Sequence, residues 1–309
     1  MEKNKNDIPA RQARDENKIL LRARHRNYRT AKLTQGVLVT LSVLLPIFGV
    51  LVGSHHPQVR PYVALAGLVL LLLETALIDG RQKERIKRGA KLQEQFDTAV
   101  FDLPWNRFVA GSRVEPEDVR ALSANPLSAA REKHFEAWYE PCVGRLPLHL
   151  ARLVCQRTNI SYDARLRRKY GDALLLLTLT FGIVLSFLGL STSLKFPELV
   201  MTLLVPFMPV LTWALKERLQ HASTALSLTN LGSEWDKIWA RALDGAGEAQ
   251  IKNDSRDLQD AIYQHRQRSP LVFDWVYYRL RTSSEDQARH AAEDMVERAE
   301  TALEEDAKV

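Results

Sequence analysis

ALLLLTLTFGIVLSFLGLSTSL, residues 173–194, runs for twenty-two residues without a charged side chain. A helix rises about 1.5 Å per residue and a bilayer core is about 30 Å thick, so this stretch reads as a transmembrane helix. Three more stretches share its character. TQGVLVTLSVLLPIFGVLVG (34–53) has no charge, YVALAGLVLLLLETALI (62–78) has only Glu74, and LVMTLLVPFMPVLTWAL (199–215) has none. The last two are short, at the lower limit of about 17 residues for a span. Tight connections, SHHPQVRP (54–61) and KFPE (195–198), pair the four stretches into two hairpins. The expected fold is an all-α membrane protein with four transmembrane helices in two hairpins and long helices extending into a cytoplasmic helical layer.

Basic residues set the expected orientation, because Lys and Arg near span ends remain cytoplasmic. Residues 1–33 hold 10 of them, 79–172 hold 18 and 216–309 hold 13, whereas the two connections hold Arg60 and Lys195 alone. Both termini and the middle segment are therefore expected inside. The chain divides into a cytoplasmic amphipathic N-terminal segment (1–33), a first transmembrane hairpin (34–78), a cytoplasmic helical segment (79–172), a second hairpin (173–215) and a cytoplasmic helical C-terminal segment (216–309). Mean hydropathy is slightly negative only because polar segments dilute the spans. The net charge of +6 follows from the basic flanks, and no nucleic-acid recognition motif accompanies it. The first span starts some thirty residues in and a second follows it, unlike a cleaved secretory signal.

Outside the spans the pattern is helical. DGRQKERIKRGAKLQEQFDTAVFDL (79–103) carries Ile86, Ala90, Phe96, Val100 and Phe101 near a helical period, so it continues the second span inward. Pro104, Gly111, Pro116 and Pro126 predict a loop-rich connection with a short helix starting near Pro116. From Pro147 a second long helix leads into the third span, with Gly171 as a place to bend. The two halves share one plan, with KER at Lys83–Arg85 and at Lys216–Arg218, as a parallel repeat would.

Catalytic equipment is sparse. The chain has no His-Glu-x-x-His, Cys-x-x-Cys, phosphate-binding Gly loop or Gly-x-Ser-x-Gly. Cys142 and Cys155 lie in a reducing compartment and are expected as thiols. His55 and His56 are consecutive, which does not suit a metal site, and neither a metal nor a cofactor is expected. Glu74 either reaches the interface to pair with a basic flank such as Lys32 or, in an oligomer, forms an acidic ring at a pore mouth.

Thr178, Gly182, Ser186 and Gly189 share one face of the third span, a small-residue stripe for helix packing or a pore lining. Pro46, Pro206 and Pro209 free backbone carbonyls and are candidate hinges. Arg81, Lys83, Arg85 and Arg88, and then Arg165, Arg167, Arg168 and Lys169, flank the membrane as contacts for anionic lipid or for an anionic nucleotide signal.

Several strings appear in a fixed order around the two hairpins: IPARQ (8–12), YRTAK (28–32), FDTAVFDLPWN (96–106), WYEP (138–141), CQRTNISYDARLR (155–167) and LQDAIYQHRQRSPLVFDWVYYRLR (258–281). Through them the chain resembles the SMODS-associated four-transmembrane (S-4TM) family of pore-forming effectors. That resemblance implies an inner-membrane effector paired with a synthetase of nucleotide second messengers, which oligomerises and permeabilises the membrane of an infected bacterium. The alternative is a non-conducting scaffold that recruits cytoplasmic partners; a membrane enzyme would need an unseen site around Glu74. The motif residues Trp105, Trp138, Tyr139, Cys155, Gln156, Asn159 and Asp163 are expected to fix a cytoplasmic helical layer, or to act as a restraint that rearranges upon signalling and moves the third span.

Overall fold

Long charge-poor apolar runs and strong helix formers on either side of them dictate helices, and every regular element among the described residues is helical. The computed structural model describes residues 5–53, 55–73, 79–191 and 195–306, leaving aside the side chains of 79, 275–285 and 306. In chain order the α-helices are α1 (Ile8–Gln12), α2 (Asp15–Gly53), α3 (Arg60–Leu73), α4 (Asp79–Phe101), α5 (Arg107–Ala110), α6 (Pro116–Ser123), α7 (Ala129–Glu136), α8 (Leu148–Ser191), α9 (Phe196–Leu199), α10 (Val205–Leu243), α11 (Glu248–Arg268) and α12 (Asp274–Asp306).

Three helical stretches, Asp15–Gly53, Leu148–Ser191 and Phe196–Leu243, are long and apolar enough to cross a membrane, and Pro57–Leu73 is a shorter apolar helix. The second expected span is thus described only as far as Leu73, and Glu74 lies outside the described residues. The chain separates into two compact units. One comprises 1–29, 85–167 and 224–309; the other, which carries the spans, comprises 30–84 and 168–223.

The first unit folds around an apolar core. Ile8, Leu21, Phe96, Phe101, Leu146, Leu150, Leu153, Ile160 and Val296 are all buried in it. The N-terminal segment is tied down in sequence-specific fashion. Asn6 Nδ2 donates to the carbonyls of Val143 (2.7 Å) and Leu146 (2.8 Å), and the Gln12 side chain exchanges hydrogen bonds with the Tyr139 backbone in both directions. Helix α4 ends at Asp102, which takes the left-handed conformation (φ 56°) that glycine usually supplies. The Leu103 amide closes the turn onto the Thr98 carbonyl at 3.0 Å. Asp102 is held there by Arg11 (3.7 Å), Arg152 (3.8 Å) and Lys252 (3.9 Å).

The span-bearing unit faces outward with apolar side chains: Leu33, Val37, Leu41, Leu44, Phe48 and Leu51 on α2 are all exposed. Such a surface is stable in lipid, where apolar exposure carries no penalty. Inside, the helices approach closely. Pro206 has no amide hydrogen to give the carbonyl four residues earlier, Thr202, and the backbone there widens into a π-helical turn, Val200–Leu204. Gly49 makes room for that carbonyl: a Cβ on Gly49 would overlap the Thr202 oxygen. A Cβ on Gly53 would lie 3.2 Å from Thr202 Cγ2, and one on Gly67 would lie 3.1 Å from Pro206 Cα. The hairpin turns are joined by Arg60, whose guanidinium donates to the Gly53 carbonyl (2.7 Å) and meets Glu198 at 2.8 Å.

Candidate functional site

The buried face of α4 runs at helical spacing from Ala90 through Gln93, Glu94, Asp97 and Val100 to Phe101. Three polar residues, two of them carboxylates, therefore enter the core of the first unit. Asp97 is fully buried and Glu94 is 1% exposed. Burying a carboxylate is costly unless hydrogen bonds and opposite charge compensate it, and the surrounding segments provide both.

Asp97 Oδ1 accepts from the Tyr139 hydroxyl (2.7 Å) and from Gln93 Nε2 (2.7 Å); Oδ2 accepts from Gln259 Nε2 (3.1 Å) and pairs with Arg266. Glu94 pairs with Arg256 at 2.6 Å and accepts from Gln259 Nε2 at 2.8 Å. Gln156 Nε2 reaches the Ser255 carbonyl (2.8 Å) and Gln259 Oε1 (3.2 Å), and Asn159 Nδ2 donates to the Tyr139 hydroxyl (3.0 Å). Arg256 extends the network to Asp260 (2.7 Å), and Asp260 accepts from Asn106 (2.6 Å). One polar core thus joins α4, the loop after α7, α8 and α11.

Electrostatics follow from burial. Desolvation pushes the Glu94 carboxyl up against the attraction of Arg256. Desolvation works against the Arg266 guanidinium, but the neighbouring Asp97 and Tyr139 outweigh it and hold the charge firmly. Burial, with Asp97 beside it, drives the Tyr139 hydroxyl and the Cys155 thiol well above their ordinary ranges, and burial raises the Cys142 thiol to about 11. Both cysteines therefore remain protonated thiols at neutral pH, poor nucleophiles and poor metal ligands. Gln93 Oε1, Gln156 Oε1 and Ser255 Oγ are buried and find no hydrogen-bond partner among the described residues.

The structure gathers Tyr139, Cys155, Gln156 and Asn159 at this core and places the other motif residues around it. Trp138 packs edge-on against Phe96 (6.3 Å between centroids) with the Arg24 guanidinium 4.8 Å from its ring. Trp105 Nε1 donates to the Gly111 carbonyl (2.8 Å) and pins the loop after α4. Asp163 accepts from Arg167 (2.8 Å), which also donates to the Pro270 carbonyl (2.9 Å). Gln93, Glu94, Asp97, Arg256, Gln259 and Arg266 were not singled out from sequence. Their signal was present: polar side chains at i+3, i+4 and i+7 of an otherwise apolar helical face.

The basic clusters separate. Arg81, Lys83, Arg168 and Lys169 are exposed in the span-bearing unit. In the first unit Arg85 and Arg165 are half-buried, Arg88 lies 3.6 Å from Asp118, and Arg167 is buried in the bonds just described. Within the third span Thr178 and Ser186 bond back to the carbonyls of Leu174 (2.9 Å) and Gly182 (2.8 Å). A Cβ on Gly182 would lie 2.9 Å from the Phe207 ring, and Gly189 is buried. Pro46 and Pro209 sit inside continuous helices and Pro206 follows the π turn; all three are buried. Gly171 does not interrupt α8; its missing side chain admits His221, whose Cβ lies 3.3 Å from where a Cβ would stand. His55 and His56 are exposed in the first hairpin turn.

Comparison with known proteins agrees with this architecture. A probable CBASS effector molecule of Bacillus cereus (strain VD146) is 25% identical over 287 residues, covering 90% of this chain and 94% of that one. No solved structure matches. The family model described as the SMODS-associating 4TM effector domain matches residues 6–295, from the N-terminal tether through all four apolar stretches and the polar core, so the chain belongs to that family of membrane effectors.

Proposed function

We propose that this protein is the pore-forming effector of a bacterial defence system driven by a nucleotide second messenger. Copies assemble in the inner membrane, with both termini cytoplasmic as the basic flanks favour, and permeabilise it so that an infected cell stops growing. The relative named as a probable CBASS effector, matched over nearly its whole length, supports the class of system. One structural observation carries the mechanism: α8 is a single helix of 44 residues that begins among the polar core, with Gln156 and Asn159, and continues to the third span's Gly182 and Gly189. A span needs about 20 residues, so roughly half of α8 is available as a lever outside the hydrocarbon. A signal that rearranges this core acts on the same continuous helix that contributes the third span. Four helices enclose little space, so the aqueous path belongs to a homo-oligomer, with the Glu74 carboxylates a candidate ring at its mouth.

The test is release of potassium and size-graded dyes from liposomes holding the purified protein, with a panel of cyclic oligonucleotides. Ligand-dependent, size-limited release is expected. Impermeability of a folded, inserted oligomer under every ligand, together with capture of a stable soluble partner, would replace this reading with the scaffold.

A further inference from the structure

A second polar cluster lies within the span-bearing unit, at the end of the bundle away from the hairpin turns. Glu217 and His221, on successive turns of α10, are 7% and 0% exposed. Gln35, at the start of the first span, donates to Glu217 Oε1 at 3.0 Å, and Gln82, near the start of α4, donates to Gln35 Oε1 at 3.0 Å. His221 Nε2 stands 3.3 Å from Glu217 Oε2, and its ring packs on Tyr170 of α8 at 4.6 Å between centroids. Nearby, Arg218 faces Asp172 at 3.4 Å. The cluster therefore takes one residue or more from each of α2, α4, α8 and α10.

We infer that Gln82, Gln35, Glu217, His221 and Tyr170 form a clasp that holds the four-helix bundle closed at this end, and that opening the membrane unit requires Glu217 to give up Gln35. The chemistry suits a two-state element. A buried carboxylate supported by an amide chain is most stable while its partners stay in register, and withdrawal of α2 removes the donor that Gln35 gives Glu217. Hydrogen bonds in a desolvated site are either made or lost, which gives the cluster two discrete states. Gly171 keeps this approach close, since an added Cβ would lie 3.3 Å from His221 Cβ and 3.6 Å from the Arg218 backbone. The inference rests on the proposed permeabilising function for its meaning, but not for its test.

Opening is read as labelling, by a water-soluble maleimide, of a cysteine placed at Leu203, which is 1% exposed in the span core. The background is full-length protein with Cys142→Ala, and potassium release from the same liposomes is followed in parallel. Gln35→Ala and Glu217→Ala are each expected to raise labelling about tenfold without any ligand, the loss of one charge-assisted hydrogen bond, and the double variant to add little further. Arg218→Ala, outside the clasp, should leave labelling unchanged. Unchanged labelling in folded Gln35→Ala and Glu217→Ala proteins, or strictly additive effects, overturns the clasp. Should Glu217→Ala fail to fold, Gln82→Leu cuts the amide chain at its half-buried end and carries the same expectation. Labelling that rises without potassium release upholds the clasp and refutes the pore instead.

Discussion

The two units solve opposite problems with the same element, the α-helix. The first gathers segments from the start, middle and end of the chain and fixes their register with buried charge: Asp97 alone receives Tyr139, Gln93, Gln259 and Arg266. The span-bearing unit brings its helices together by removing side chains, at Gly49, Gly67 and Gly182, and places polar junctions at its two ends, Arg60 with Glu198 at the hairpin turns and Gln35 with Glu217 at the other. In a watery setting the hydrophobic effect gathers the helices and polar groups specify which arrangement results. Among helices in lipid that force is missing, so close approach and a few hydrogen bonds must supply association as well as specificity.

The largest expected effect tests the charged register. Asp97→Ala leaves the half-buried Arg266 guanidinium without its carboxylate and strips the Tyr139 hydroxyl of its acceptor, at a cost of about 3 kcal/mol. Chemical unfolding followed by tryptophan fluorescence measures it, because Trp105, Trp138, Trp235 and Trp239 all lie in this unit. A loss below 1 kcal/mol would mean that the apolar core alone sets the register.

A smaller effect tests close approach in the other unit. Gly49→Val drives a branched side chain into the Thr202 carbonyl and is expected to destabilise by about 1–3 kcal/mol. Gly80→Ala, where an added Cβ meets nothing within 4 Å, is expected to be neutral or stabilising by up to about 1 kcal/mol. Thermal unfolding in one detergent compares them, and equal effects would remove the packing argument.

The smallest effects separate two carboxylates by pH. Burial raises Glu94, so the folded state keeps a proton that the unfolded chain has released. Its contribution is full below the ordinary carboxylate range and is lost as pH rises through the raised value. Glu94→Gln should remove that downward slope of stability with pH. Glu198 is lowered, first by the Lys195 backbone amide and then by Arg60, so its contribution is present above the ordinary range and lost as pH falls through the lowered value. Glu198→Gln should flatten only the acid limb. Unfolding midpoints across pH 3–8 check both, and slopes of the same sign would contradict the assigned causes.

Much of this architecture was legible in the sequence. A charge-free run such as 173–194 has one stable state in lipid, because backbone amides without water must bond within a helix, and the strings around Tyr139 and Gln156 marked segments that the fold brings together. The acidic half of the core was harder to read. Glu94 and Asp97 look, in one dimension, like the solvated face of a charged helix; only packing of α11 and the Tyr139 loop against α4 turns that face inward. Arg167 looked like a membrane-flanking base beside Arg168 and Lys169, yet one helical step of about 100° separates a buried pair with Asp163 from exposure. The Glu217 clasp was equally hidden, since its partners are 182 and 135 residues away in the chain at Gln35 and Gln82. Hydrophobic length and charge placement are local quantities, so the sequence by itself determined the helical class and the apolar stretches. Which polar groups are buried together depends on helix rotation and distant neighbours, and only the tertiary structure decided that.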